Sequence, residues 1–284
     1  MGRVRLIVAA AALAAATATV GLVLLTRDAP EQRVEAEPPP LFLELGERDD
    51  AEARALRRAA GLYDDGRLEA SRAIFDRYDS PEARVGSAYA RWPDSFEPLE
   101  DEETAVGRLH LGIALAATGA ERKSREELDE VEAIAPDTPY AVRADDFLHP
   151  RTVPGLPFFL PSREPSRELR RALDLQRQGR PLSARRAFDA AAAGSDDPEL
   201  LTAAAVGWFD KDEPELAFSR LGPLTRRFPQ AQTVRFHLGL LLLWLAQVDA
   251  ARPQLDRARA LDPASPLGRQ AGELLDRLGD GGTS

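Results

Sequence analysis

The chain contains no cysteine and no asparagine, and its lysines are Lys123 and Lys211 alone. Without cysteine there can be no disulfide framework, no thiolate metal site, no thiol nucleophile and no lipid-modified cysteine. The scarcity of lysine and asparagine is typical of a GC-rich coding sequence and favours a bacterial source. Aromatic residues make up only 6% of the 284 residues, but 44% are hydrophobic, which is enough for a sizeable core.

Basic residues are fewer than acidic ones, 37 against 47, so the formal net charge is −10. A polyanion is repelled by such a field, and affinity for nucleic acid depends on neutralising phosphates. The charge therefore argues against a chain-wide role in binding DNA or RNA.

One long apolar run stands near the N-terminus. Leu6 to Leu25 carries no charge over 20 residues, which is about the length that crosses a bilayer, and Arg3 and Arg5 precede it. A cleavable signal has a shorter apolar stretch, so an uncleaved signal anchor is the better interpretation. The positive-inside rule then predicts a single-pass protein of the cell membrane with most of the chain outside the cytoplasm. The predicted segments are a cytoplasmic N-terminus (1–5), the anchor (6–25) and a linker rich in Pro and Glu (26–48).

From about residue 49 onward, the sequence is a series of amphipathic helical stretches separated by Gly, Pro and Asp. Two of these stretches repeat one another, because Trp208, Ala217, Leu221 and Pro229 align with residues 34 positions later. Those residues are Leu242, Ala251, Leu255 and Pro263. Small residues at matching positions allow two antiparallel helices to cross closely. Proline ends the second helix of each pair.

This pattern resembles the tetratricopeptide repeat (TPR) family, whose helix–turn–helix units have a period of 34 residues. Further copies begin near Leu111-Gly112 and Ala172, and a weaker one near Ala59. The resemblance implies an all-α solenoid of about four to five repeats, behind one N-terminal transmembrane helix, closed by a capping helix over Ser265 to Leu278.

The repeats lose their phase after Pro136, which divides the array. We predict an N-terminal TPR-like half (49–138), a helix and Pro-rich insert (139–165), a C-terminal half with its capping helix (166–278) and a flexible tail (279–284). The apolar, proline-containing stretch from Leu156 to Leu160 in the insert has two interpretations. It packs along the solenoid, or it is a recognition element for a partner or a membrane surface.

The resemblance also implies a concave surface, lined by the first helix of each repeat, that receives a partner peptide or helix. The partner-binding residues that it predicts are Tyr63, Gln176, Arg177, Phe209, Asp210, Phe236, Leu240 and Trp244. The stretch around Phe236 is apolar on all sides and must be covered. Either neighbouring helices bury it completely, or Phe236, Leu240 and Trp244 form an apolar binding groove.

No motif for catalysis or cofactor binding is present, and the predictions are no enzyme activity, no cofactor and no metal site. His110 and His237 each precede Leu-Gly at the same place in their repeats, so we expect them to lie far apart and not to share a metal.

The sequence thus predicts a membrane-anchored, non-enzymatic scaffold or adaptor that binds a protein or peptide partner. The alternative is an accessory subunit of a membrane enzyme, a cytochrome c maturation complex or a secretion complex, docked through its transmembrane helix.

Overall fold

The computed structural model describes residues 38–93 and 97–280, and within these ranges the protein is all-helical, with no strand. The all-α prediction is therefore confirmed. No helix of the described ranges is both long and apolar enough to cross a membrane. The predicted anchor (6–25), the start of the linker and residues 281–284 of the predicted tail lie outside the described residues.

The first half of the molecule contains six α-helices and one short 3₁₀ helix among the described residues. In chain order they are α1 (Ala51–Asp64), α2 (Leu68–Phe75), α3 (Pro81–Tyr89), the 3₁₀ helix (Glu97–Leu99), α4 (Ala105–Ala117), α5 (Glu121–Ile134) and α6 (Pro139–Leu148). Between Ser80 and Ala105 the described chain forms α3 and the 3₁₀ helix.

The second half contains seven helices in the described part of the chain. They are α7 (Arg167–Arg177), α8 (Pro181–Ala192), α9 (Pro198–Gly207), α10 (Glu215–Arg227), α11 (Gln232–Trp244), α12 (Val248–Leu261) and α13 (Pro266–Asp280). The last helix lies where the sequence predicts a capping helix, and it packs against α11 and α12. It extends to Asp280, so the first two residues of the predicted tail are helical.

Helix α6 ends the first half as α13 ends the second. It begins at the predicted Pro139, where the hydroxyl of Thr138 accepts the N–H of Ala141, and it packs against α4 and α5. The sequence prediction places this helix in one segment (139–165) with the Pro-rich insert, and its contacts are with helices of the first half.

Four helix pairs, α1/α2, α4/α5, α7/α8 and α11/α12, are joined by tight turns with a left-handed residue, which satisfies the last carbonyls of the first helix. Glycine holds this position at Gly66, Gly119 and Gly179, with φ between 65° and 79°. The equivalent residue between α11 and α12 is Ala246, with φ of 55°. The same backbone turn is thus built with and without glycine.

Small residues let the paired helices approach, as the sequence predicts. A Cβ atom added to Gly112 would lie 2.9 Å from the side chain of Leu128, and one added to Gly239 would lie 2.8 Å from that of Leu255. Ala251, on the facing helix of the last pair, is fully buried. Any larger side chain at these positions forces the helices apart.

The halves meet through polar contacts around the end of α6. Lys211, whose side chain is fully buried, donates to Asp146 at 2.5 Å and lies 3.0 Å from Asp145. The imidazole of His149 lies 2.8 Å from a carboxylate oxygen of Asp212. These ion pairs join the loop after α9 to the first half.

Candidate peptide-binding grooves

Two extended segments of the chain lie against the helices. The first strap, residues 39–46, precedes α1, and the second strap, residues 153–162, connects the two halves. The sequence predicts a linker over residues 26–48, and the described part of that range contains the first strap, which packs onto α1, α4 and α6. The Pro-rich composition therefore indicated an extended segment, but it did not indicate that this segment packs against the helices.

The first groove is formed by Arg57, Tyr63, His110 and Tyr140, which bind the backbone of the first strap. The Tyr63 hydroxyl donates to the carbonyl of Pro39 at 2.6 Å, and the N–H of Phe42 donates to Nε2 of His110 at 3.0 Å. Towards the other end, the N–H of Glu44 donates to Tyr140 at 3.1 Å. The Arg57 guanidinium donates to the carbonyl of Gly46 at 2.9 Å.

His110 is fully buried, and its surroundings fix its protonation. Its Nδ1 atom lies 2.6 Å from the carbonyl of Val106, so Nδ1 carries the proton and Nε2 is left as the acceptor. Burial lowers the pKa of the ring to about 4. Tyr89 packs edge-on against the ring, with the centroids 4.9 Å apart, and its hydroxyl donates to the His110 carbonyl. The result is a fixed, neutral acceptor for one backbone N–H.

The second groove is formed by Gln176, Glu199, His237 and Trp244, which bind the second strap in the same manner. The N–H of Leu160 donates to Nε2 of His237 at 2.9 Å. One residue earlier, the amide of Gln176 both accepts from the N–H of Phe159 at 3.0 Å and donates to its carbonyl at 3.4 Å.

Both ends of the second strap are also bound. Glu199 is buried and accepts the N–H of Ser162 at 2.9 Å as well as its hydroxyl. The indole N–H of Trp244 donates to the carbonyl of Gly155, and its carbonyl accepts the N–H of Val153, each at 3.1 Å. The strap is therefore held along its whole length.

His237 has the same surroundings as His110. It is fully buried, its Nδ1 lies 2.7 Å from the carbonyl of Thr233, and burial lowers its pKa to about 4. The ring of Phe159 stacks on it with the centroids 4.6 Å apart and the planes 20° apart. Phe159 is only 1% exposed, so the strap itself completes the burial of the histidine.

The two histidines belong to one repeated pattern. The sequence Arg-x-His-Leu-Gly occurs at 108–112 on α4 and again at 235–239 on α11. In both copies the histidine accepts from a strap and the glycine packs on the facing helix. The prediction that these histidines lie apart agrees with their separate grooves. The sequence pattern did not indicate that each histidine binds the backbone of a strap.

The predicted partner-binding residues fall into two groups. Tyr63, Gln176 and Trp244 bind the straps, as described above. The others bind no strap backbone. Phe236 and Leu240 are buried against α12 and α13, and Phe209 is buried in the core of the second half. Asp210 accepts the N–H groups of Asp212 and Glu213, and exposed Arg177 pairs with Asp174. For Phe236, complete burial by neighbouring helices is the interpretation that the structure supports.

The packing of the insert distinguishes between its two interpretations. Phe159 and Leu156 pack in the core of the second half, and Leu160 packs against the cluster formed by α11, α12 and α13. Phe158 points outward and is 38% exposed. The stretch from Leu156 to Leu160 thus packs along the helices, with one aromatic ring left at the surface.

The remaining histidine, His149, takes part in the polar junction between the halves. Its pKa is raised, because hydrogen bonds and charges from Asp212 and Asp145 outweigh the effect of burial. Nearby Glu132 has a pKa raised to about 7, through burial and the charges of neighbouring carboxylates. Across the described ranges, no group of three His, Asp or Glu side chains fits a metal ion.

Comparison with protein families and with curated proteins found no relative of this chain. No family model matches the chain, and the search of curated proteins found no similar sequence.

Proposed function

We propose that this protein is a membrane-anchored, non-enzymatic scaffold of the TPR type that binds a protein or peptide partner along its helical array. One observation supports the proposal most directly. Two grooves, one in each half, hold an extended peptide segment through hydrogen bonds to its backbone. Backbone contacts give affinity for an extended chain, and the apolar side-chain contacts give it register.

The anchor in this proposal comes from the sequence, because Leu6 to Leu25 lies outside the described residues. Its orientation places the helical array outside the cytoplasm. A reporter fused after Ser284 tests this part: we expect alkaline phosphatase, which is active only outside the cytoplasm, to work there. Activity of a cytoplasmic reporter alone would reverse the orientation.

Site-specific photocrosslinking tests the scaffold itself. A photoreactive phenylalanine at Phe158 lies on the outer face of the second strap, and a matched control at Ile134 occupies the other large exposed apolar side chain of the described residues. We expect one partner to be crosslinked from position 158 in native membranes and not from position 134. Equal crosslinking from both positions would argue against a groove-side partner.

A second candidate is favoured by one specific observation, namely that both grooves already contain a strap. An accessory subunit of a membrane complex, docked through its transmembrane helix, needs no open groove. Replacing Leu6 to Leu25 with an unrelated apolar helix separates the two functions. A scaffold keeps its crosslinked partner after this exchange, whereas a helix-docked subunit loses its complex.

A further inference from the structure

The two halves of the molecule are joined without a shared apolar core. Each apolar cluster of the described residues belongs to one half, and the extensive helix–helix packing also stays within a half. In the described chain, the halves are connected by the second strap and by two polar contacts, one at each end of α6. Because burial of apolar surface is the main force that fixes two bodies together, the angle between the halves depends on these two contacts.

The contact at the start of α6 is made by Asp137. Its carboxylate accepts the N–H of Ser183 at 2.9 Å and the Ser183 hydroxyl at 2.5 Å, and it lies 3.2 Å from the guanidinium of Arg180. Pro139 packs closely here, since a Cβ atom added to Gly179 would lie 2.8 Å from its ring. Burial alone would raise the pKa of Asp137, but the bonds from Ser183 and the charge of Arg180 outweigh it and lower the pKa. This contact therefore stays ionised near neutral pH.

The contact at the end of α6 is a buried group of charges. The ammonium of Lys211, on the loop after α9, lies between Asp145 and Asp146, and the guanidinium of Arg143 is 3.7 Å from Asp146. One carboxylate oxygen of Asp146 is buried without a hydrogen bond. A buried ion pair loses about as much hydration as it gains in attraction, so returning both partners to water has a small net cost. Further charges nearby therefore decide whether this contact is closed.

Two titratable side chains supply those charges. His149, at the end of α6, lies 2.8 Å from a carboxylate oxygen of Asp145 and 2.8 Å from one of Asp212. Glu132, on α5, is half-buried, and it is subject to the charges of Asp145, Asp212 and Asp129 on one side of the balance and of His149 on the other. Both side chains thus belong to the interface between the halves.

Both groups favour closure at the lower pH. Burial and the charges of neighbouring carboxylates raise the pKa of Glu132 from 4.5 to about 7. Burial lowers the pKa of His149, but the bonds and charges of Asp212 and Asp145 outweigh it and raise the pKa overall. A contact that raises the pKa of a group is stabilised by its proton, and this stabilisation is lost as the pH rises through the raised value. Each proton that leaves adds one negative charge to a cluster already rich in carboxylates.

We propose that the end of α6 and the loop after α9 form a pH-sensitive latch, which is closed in mildly acidic solution and released in alkaline solution. The contact at Asp137 stays closed and acts as the pivot. The output of this device is the angle between the two halves. It goes beyond the scaffold function, because it requires no partner.

Distance measurements on the full-length protein test the latch. The chain has no cysteine, so Thr118→Cys and Ser219→Cys, at exposed positions of the first and second half, are the sole sites for thiol-reactive spin labels. We expect electron–electron double resonance to show one main distance at pH 6 and a second one at pH 9, with the population of the second rising roughly tenfold. His110 and His237 stay neutral over this range, so the straps do not contribute to the change. An unchanged distance distribution would overturn the proposal.

Matched variants show whether the cluster is responsible. Glu132→Gln, added to the labelled protein, keeps the shape of the side chain and removes its charge, so we expect it to lose most of the pH response. Glu130→Gln removes an exposed carboxylate of the same helix and should keep the full response. The double variant Glu132→Gln/His149→Gln should show no response. A full response in the double variant contradicts the assignment of the latch to these two groups.

Hydrogen exchange on the unmodified protein gives the same information if a variant fails to fold. The N–H of Gly155 donates to Asp146 in the latch, and the N–H of Ser183 donates to Asp137 at the pivot. After correction for the intrinsic rate at each pH, we expect the protection of Gly155 to fall roughly tenfold between pH 6 and pH 9, with that of Ser183 unchanged. Constant protection of Gly155 contradicts the latch, and an equal loss at both amides contradicts the pivot.

Discussion

Both halves of the molecule hold an extended strap, and they differ in the contacts that hold it. Each half uses a buried neutral histidine to bind the backbone of an extended strap. The second half adds a stacked phenylalanine, a buried glutamate and a bidentate glutamine, whereas the first half relies on two tyrosine hydroxyls and an arginine. The shared histidine shows that each groove binds the backbone of an extended chain. The further contacts of each half determine how firmly its strap is held.

The largest difference is expected between the strap phenylalanines. Phe159→Ala removes a side chain that is 1% exposed and packs on Phe188 and His237, and should lower the free energy of unfolding by about 3–5 kcal/mol. Phe42→Ala removes a partly buried ring and should cost about 1–2 kcal/mol. Urea unfolding followed by circular dichroism measures both. Phe158→Ala, at the exposed ring, is the control and should change little. Equal costs at Phe42 and Phe159 would remove the distinction between the straps.

Acid should affect both grooves alike. With pKa values of about 4 in the folded protein and an ordinary value of 6.5, His110 and His237 stay neutral where the unfolded chain takes up a proton. Their contribution to stability is therefore present above pH 6.5 and is lost as the pH falls towards 4, by about 2 kcal/mol each at pH 5.

The charges at the junction between the halves respond in the opposite direction. His149, with its raised pKa, and Glu132, with a pKa of about 7, favour the folded state at lower pH and less so as the pH rises. NMR titration of the imidazole carbons separates His149 from His110 and His237. A charged His110 or His237 at pH 6 would show that its groove opens.

The polar contacts of the straps should differ by less. Gln176→Ala removes both bonds to the backbone of Phe159, so we expect a loss of about 1–3 kcal/mol. Tyr63→Phe removes a single hydroxyl bond to Pro39 and should cost about 1 kcal/mol. Thermal unfolding compares the two variants. A larger cost for Tyr63→Phe would mean that the first strap is held the more firmly.

The smallest effects are expected at equivalent turns. Gly119 and Ala246 hold the same left-handed position after α4 and α11. Gly119→Ala should destabilise the protein by about 1 kcal/mol, and since an added Cβ meets no atom within 4 Å there, the cost is conformational. Ala246→Gly should stabilise it by up to about 1 kcal/mol. Opposite signs in paired melting curves are the expected result. The same sign would show that these turns are not equivalent.

Much of the helical array can be read from the sequence, because each helix pair has local signals. Pro139 and Pro266 follow capping hydroxyl residues, and Gly112 and Gly239 mark where helices cross. The period of 34 residues predicts helix pairs and a final helix in the stretch that forms α9 to α13. These features depend on neighbours within about one repeat.

The straps could not be read in the same way. Their hydrogen bonds join residues 68 and 77 positions apart, from Phe42 to His110 and from Leu160 to His237, and an extended segment leaves no helical period. One signal was available: a histidine recurs within Arg-x-His-Leu-Gly on two otherwise apolar helices, and an apolar Pro-containing segment precedes each half. A buried histidine needs a partner, and these segments supply it.

The buried ion pair at the junction makes amine chemistry selective. Lys123 is exposed on α5, whereas the side chain of Lys211 is enclosed by Asp145 and Asp146. Of the two lysines, only Lys123 is accessible to an acylating dye in the folded protein. Acylation of Lys211 requires the two halves to separate at that point. The rate at which Lys211 becomes labelled therefore measures how often the molecule opens at its midpoint. No introduced residue is needed.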